Sequence, residues 1–283
     1  MEKELKLGKG KAFLLIILSI AAVVVSQLIA MLAGNLLVMI GLPKLAGSIT
    51  TALLYCILPL IGLHFVCKIS KNRLSDFRIS KIGVKPVWAI SSFLMPLSVI
   101  LSMMLLSGTW RMPVSDVKDS AVTIVSAVLF FLAVGVVEEA AFRGVIMGAV
   151  ERISNKWVAI IVPSVLFGLL HIDFSYSILS CLQVIVAGTL VGILFSLVTY
   201  ESGSIWSSAL IHGIWDIAMS GGVLNISTEY DESYVFNYVL NSESFLITGG
   251  EFGVESSIFA IAAYLVFALL AIFLIVRKGR RDD

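Results

Sequence analysis

Two adjacent carboxylates and a guanidinium stand in the otherwise apolar run 121–150: Glu138, Glu139 and Arg143. A charge at bilayer depth is costly, so an intramembrane Glu pair is a functional-site hypothesis by default. On a helix, Glu139 and Arg143 are four apart, share a face and can neutralise each other. Glu138 lies about 100° round the helix from Glu139 and needs a different partner. Two of the three histidines are candidates. Phe167 and His171 close one apolar span, and His212 and Asp216 lie in another; each pair is four apart and shares a helix face. A desolvated Glu can serve as a base. A His beside it can hold a water, and a second His can donate a hydrogen bond to a developing oxyanion. That chemistry is hydrolysis without a covalent intermediate, and no GxSxG or Ser–Lys pairing offers a nucleophile instead. Glu138, His171 and His212 could equally bind zinc with an open fourth position.

The elements that must position these groups follow from composition. The chain has 283 residues, 59% of them hydrophobic and 14% charged, against about a quarter charged in average usage. This reads as an all-α polytopic membrane protein, a single transmembrane domain over 1–283 with no separate soluble unit. A net charge of +1 implies no acidic partner. Cys56, Cys67 and Cys181 lack metal-ligand spacing, and an odd count argues against a disulfide framework. They read as small buried hydrophobes.

Spans of about 20 apolar residues are the unit of a membrane helix. Eight are expected: 12–40, 46–67, 86–107, 120–150, 157–172, 177–199, 204–222 and 257–276. The first is far longer than a signal-peptide core and is read as a retained helix. The basic N-terminus (Lys3, Lys6, Lys9, Lys11), the 68–85 loop, the Arg152–Lys156 turn and the tail from Arg277 to Arg281 alternate correctly for cytoplasmic placement of both termini. The opposite loop, 223–256, carries six acidic residues and no Lys or Arg. The 68–85 stretch reads as a solvated interfacial loop, with no nucleic-acid role. Asn35 and Gln183 are expected to hydrogen-bond between helices, and Gly144/Gly148 and Gly188/Gly192 to form small-residue packing faces. His64 reads as an interface residue.

Hairpin arithmetic places Glu138 about 15 residues before a turn near Ile153 and His171 about 18 after it. At 1.5 Å per residue the two come to within about 5 Å of the same depth. His212, about 8 residues from its own turn near Ser204, fits less well.

Glu138-Glu139-Ala140-Ala141-Phe142-Arg143, then Phe167-xxx-His171, then His212-xxx-Asp216 resemble the EExxxR, FxxxH and HxxxN/D motifs of the CAAX protease and bacteriocin-processing family of intramembrane proteases. The resemblance covers about 120–222, the expected protease core. It implies an endopeptidase acting on membrane-associated peptides or proteins. Glu138 would activate a water also held by His171, and His212 would stabilise the oxyanion. Glu139 and Arg143 would be a structural pair, with Phe167 packed one turn below His171. Asp216 stands where the eukaryotic members have Asn; an ionised Asp cannot donate a hydrogen bond, so it would carry a proton, orient His212 or ligate a metal. No cofactor is favoured, with zinc the alternative. The bilayer is the other expected partner, and the location a plasma membrane, of bacterial type. A transporter or a non-proteolytic immunity protein is the competing class, and it has no need of Glu138, His171 and His212 together.

Overall fold

The structure, a computed structural model, describes residues 7–79, 82–112 and 117–282. Lys3, Lys6 and Lys81, counted above among the basic residues, lie outside the described residues, as does the side chain of Arg281.

Every apolar span contains a helix. The first three are α1 (Lys9–Met39), α2 (Lys44–Ile69) and α3 (Pro86–Met104). The fourth is composite: α4 (Val117–Glu139) runs into a π-helical turn (Ala140–Ile146) and then α5 (Met147–Ile153). There follow α6 (Lys156–Leu170), α7 (Ile178–Ser202) and α8 (Trp206–Met219). After a short α9 (Phe245–Thr248), α10 (Ile258–Asp282) closes the chain.

Length leaves the count of eight full spans unconfirmed. Among the described residues, six helices are long and apolar enough to cross a bilayer. The other two, α6 and α8, have 15 and 14 residues, or about 21–23 Å against a hydrocarbon core of about 30 Å. Local chemistry shortens them. The Asn155 side chain starts α6 by accepting from the backbone N–H of Trp157 and Val158 at 3.0 and 3.1 Å, a standard N-cap. His171 already lies past its last turn. The seventh apolar window ends in a turn through Gly222, whose φ of +69° suits glycine.

The all-α membrane part carries a small addition. Strands β1 (Gly108–Arg111), β2 (Leu224–Ser227) and β3 (Phe236–Leu240) form a sheet in the order β1-β3-β2. β1 is antiparallel to β3, with Trp110 opposite Tyr238, and β2 is parallel to it. The acidic 223–256 loop is thereby tied to the end of α3. The Tyr238 hydroxyl reinforces that tie by donating to the Leu106 carbonyl at 2.7 Å.

The 68–85 loop is not simply solvated. Phe77 is fully buried. It packs where a side chain on Gly148 would collide with its ring at 2.6 Å, and Ile79 packs against Gly144 in the same way. Between them the Arg78 guanidinium donates to Glu151 at 2.6 Å, and the Arg78 carbonyl accepts from Ile205 N–H at 3.2 Å. One loop residue therefore joins the end of α5 to the start of α8. The Gln183 amide donates to the Ser256 carbonyl at 2.8 Å, a group in the 3-10 turn Val254–Ser256.

Candidate active site

Two glycine crossings bring the motif helices together. A Cβ on Gly135 of α4 would stand 2.7 Å from the Gly213 nitrogen of α8. One on Gly188 of α7 would stand 2.7 Å from the Gly168 Cα of α6. Only glycine allows backbones this close. Glu138 and Glu139 lie one turn along α4 from the first crossing, and His212 is adjacent to it. The π-helical turn begins directly after Glu139, and such turns are frequent at functional sites.

Glu139 and Arg143 are both fully buried, and Arg143 Nη1 donates to Glu139 Oε1 at 2.8 Å. The same oxygen lies 3.2 Å from His212 Nδ1. An ionised carboxylate only accepts, so that contact puts a proton on Nδ1. The ion pair is a single hydrogen bond rather than a fork: Glu139 Oε2 and Arg143 Nε and Nη2 have no hydrogen-bond partner. Aromatic faces compensate. The guanidinium carbon lies 4.6 Å from the Phe167 ring centre, 5.2 Å from Phe195 and 5.7 Å from Phe142. These three rings come from α6, α7 and the π-helical turn. A desolvated cation over aromatic rings gains about 2 kcal/mol or more.

His212 is held on every side. Phe195 stacks on it at 5.0 Å and 25°, and Phe167 meets it edge-on at 5.8 Å. Its Nε2 lies 3.4 Å from Asp216 Oδ2 and 4.0 Å from Glu138 Oε2. Glu138 differs from its neighbour in that no Lys or Arg pairs with it among the described residues, and 18% of its side chain is accessible.

His171 sits at the C-terminal end of α6, with its Nδ1 2.7 Å from the Phe167 carbonyl oxygen. A carbonyl cannot donate, so Nδ1 carries the proton and Nε2 of the neutral ring is left as an acceptor. The ring rests 4.4 Å from Phe167. His171, His212, Asp216 and Phe167 line one cavity of about 40 Å³, room for a water or two.

The structure thus gathers Glu138, Glu139, Arg143, His212 and Asp216 into direct contact, with Phe167 beneath both histidines. It does not join Glu138 to His171 as an ion pair. The hairpin arithmetic favoured His171 over His212 as the neighbour of Glu138, and the packing reverses that order. The Arg78 carbonyl, which accepts from Ile205 N–H at the start of α8, belongs to the loop that packs on the Gly144–Gly148 face.

Zinc is the alternative to a metal-free site. Among the described residues no three His, Cys, Asp or Glu side chains gather as a metal-ligand set. Both His212 nitrogens face carboxylates, whereas His171, with Nδ1 on a carbonyl, keeps Nε2 open, so the Asp216→Asn test below separates the two readings.

Sequence reasoning passed over two side chains. Tyr55 of α2 is fully buried and turns its hydroxyl toward Glu138 without completing a well-formed hydrogen bond. It is the one tyrosine of the second apolar span, a signal that was legible. Glu255 lines the His171–His212 cavity, accepting from Trp215 Nε1 at 2.9 Å and from the Ser220 hydroxyl. Nothing in its sequence context separates it from the other acids of its loop.

Polar groups assembled inside a polytopic helical bundle, with a partly accessible carboxylate beside a clamped histidine, are groups that a membrane-embedded hydrolase would need. Residues 120–218 match the family of Rce1-like type II CAAX prenyl endopeptidases. Over that stretch the chain is similar to CAAX proteases, and the match supports a hydrolase of the intramembrane protease type over the non-enzymatic alternative. No curated protein matches the chain.

Proposed function

We infer that the protein cleaves peptide bonds in membrane-associated peptides or proteins, with Glu138 as the general base. The observation that carries this reading is the contrast between the two glutamates. Glu139 is sealed and neutralised by Arg143, whereas Glu138 is partly accessible and has no cation of its own. A carboxylate without a cation in a low-dielectric site is free to take a proton from water. His171, with Nε2 as acceptor, is the second holder of that water. The Glu139 carboxylate fixes the His212 ring through Nδ1–H, and a second proton on Nε2, which makes the ring an imidazolium between carboxylates, serves as donor to the oxyanion. Asp216, at 3.4 Å from that nitrogen, orients the ring. The water's proton passes to Glu138 and from there to the leaving amine as the tetrahedral carbon collapses.

Asp216→Asn separates this reading from zinc catalysis. Without a metal, Asn supplies the donor of the eukaryotic motif, and activity survives or rises. Elemental analysis of wild type and variant, with a cleavage assay after chelation, checks this. Stoichiometric zinc lost in step with activity overturns the metal-free mechanism and leaves the protease standing.

The placement in a bacterial-type plasma membrane, both termini cytoplasmic, rests on the basic-residue alternation. Single cysteines in 68–85 and 223–256 on a Cys-free background will be labelled from opposite sides by an impermeant thiol reagent. Labelling of both from one side refutes the topology.

A further inference from the structure

We propose that Tyr55, on α2 and outside all three motifs, is a positioning residue that donates its phenolic hydrogen to Glu138 and orients the carboxylate for attack on water. The inference rests on Glu138 being the base.

The side chain is fully buried, and its ring is stacked on Phe130 of α4 at 5.6 Å and 26°. That contact fixes the ring and, through it, the direction of the O–H. The hydroxyl is shut off from solvent with no hydrogen-bond partner completed, an expensive state for a phenol in a low-dielectric interior. It faces the Glu138 carboxylate, which, unlike Glu139, has no Lys or Arg partner among the described residues. A phenol donates and an ionised carboxylate only accepts, so the two are complementary. A small rotation of either side chain makes a charge-assisted bond, the stronger kind. Such a bond ties up one carboxylate oxygen and leaves the other for the water. The two glutamates are then held by different devices: Glu139 by a cation from its own helix, Glu138 by a neutral donor from the neighbouring one. A neutral donor orients the base without removing its proton affinity as an arginine would.

The location adds a second argument. Phe130, under the Tyr55 ring, also lines a cavity of about 850 Å³ between α1, α2, α4 and the end of α8, with Asn35, Thr51 and Ser126 on its walls. No motif residue lines that cavity. Through Phe130, Tyr55 therefore stands between that cavity and the base.

The test uses purified full-length protein and a quenched fluorescent peptide selected for cleavage by wild type. Tyr55→Phe keeps the ring and its stacking and removes only the donor. Its kcat will fall by about 10- to 100-fold with KM within about twofold, the signature of an interaction used in the transition state. Its thermal midpoint will not fall below that of wild type, because removing a buried hydroxyl without a completed bond costs no stability while the ring keeps its stacking. Incorporation of 3-fluorotyrosine at position 55, which restores a donor, will recover most of the rate. A wild-type kcat in Tyr55→Phe overturns the proposal. So does a raised KM at unchanged kcat, or a loss that tracks the folded fraction. Glu138→Gln, assayed in parallel, keeps the two readings apart: its inactivity beside a fully active Tyr55→Phe sinks only the role of Tyr55, whereas full activity in Glu138→Gln removes the base itself.

Discussion

Purified Glu138→Gln protein will fold as wild type does and lose cleavage by about 10²- to 10⁴-fold, the usual contribution of a positioned general base. The substitution keeps the shape of the side chain and removes its ability to take a proton. Little stability is at stake, because Glu138 is partly accessible and anchors no Lys or Arg. Its nearest charged contact is His212 Nε2 at 4.0 Å, beyond hydrogen-bonding distance. Thermal unfolding in detergent and a cleavage assay on the same preparation separate folding from chemistry. Wild-type cleavage by this variant would refute the catalytic assignment. The same change at Glu139 has a different signature, because Glu139 Oε1 faces both Arg143 Nη1 and His212 Nδ1. Stability and activity fall together there.

Arg143→Ala will destabilise the protein by about 3–5 kcal/mol, the range seen when one member of a buried ion pair is removed. Glu139 would be left fully buried with only His212 beside it. The box formed by Phe142, Phe167 and Phe195 would lose its occupant. Low expression and a depressed thermal midpoint are the expected readouts, ahead of any direct effect on catalysis. The double variant Glu139→Gln/Arg143→Met will regain much of the stability, since an apolar replacement of a buried pair is often neutral or better. The unpaired Glu139 Oε2 and Arg143 Nε and Nη2 make this pair an imperfect one to begin with. Activity will not return with stability, because the neutral amide that replaces the Glu139 carboxylate no longer offers His212 a charged acceptor. An Arg143→Ala protein with wild-type melting and yield would show that the buried pair does not hold the site together.

Some of this was settled by the order of residues alone. A chain that is 59% hydrophobic and 14% charged has to be a membrane bundle. Contacts four residues apart are local, so the Glu139–Arg143 pair, the Phe167–His171 stack and the His212–Asp216 approach need only a helix to exist. Other features depend on what the neighbouring elements do. Helix length was one: hydropathy reads α6 and α8 as full spans, but an Asn155 cap, the end at His171 and the turn through Gly222 make them short. Which histidine meets Glu138 was another. Depth arithmetic assumes that every turn lies at the membrane surface. In the 68–85 loop Phe77 is buried, and the neighbouring Arg78 carbonyl accepts from Ile205 N–H at the start of α8. The aromatic box around Arg143 draws on three segments, and Tyr55 and Glu255 reach the site from 83 residues before and 117 after Glu138. Spacing along one helix can specify a pair, but only the close crossings at Gly135–Gly213 and Gly168–Gly188 decide which pairs become one site.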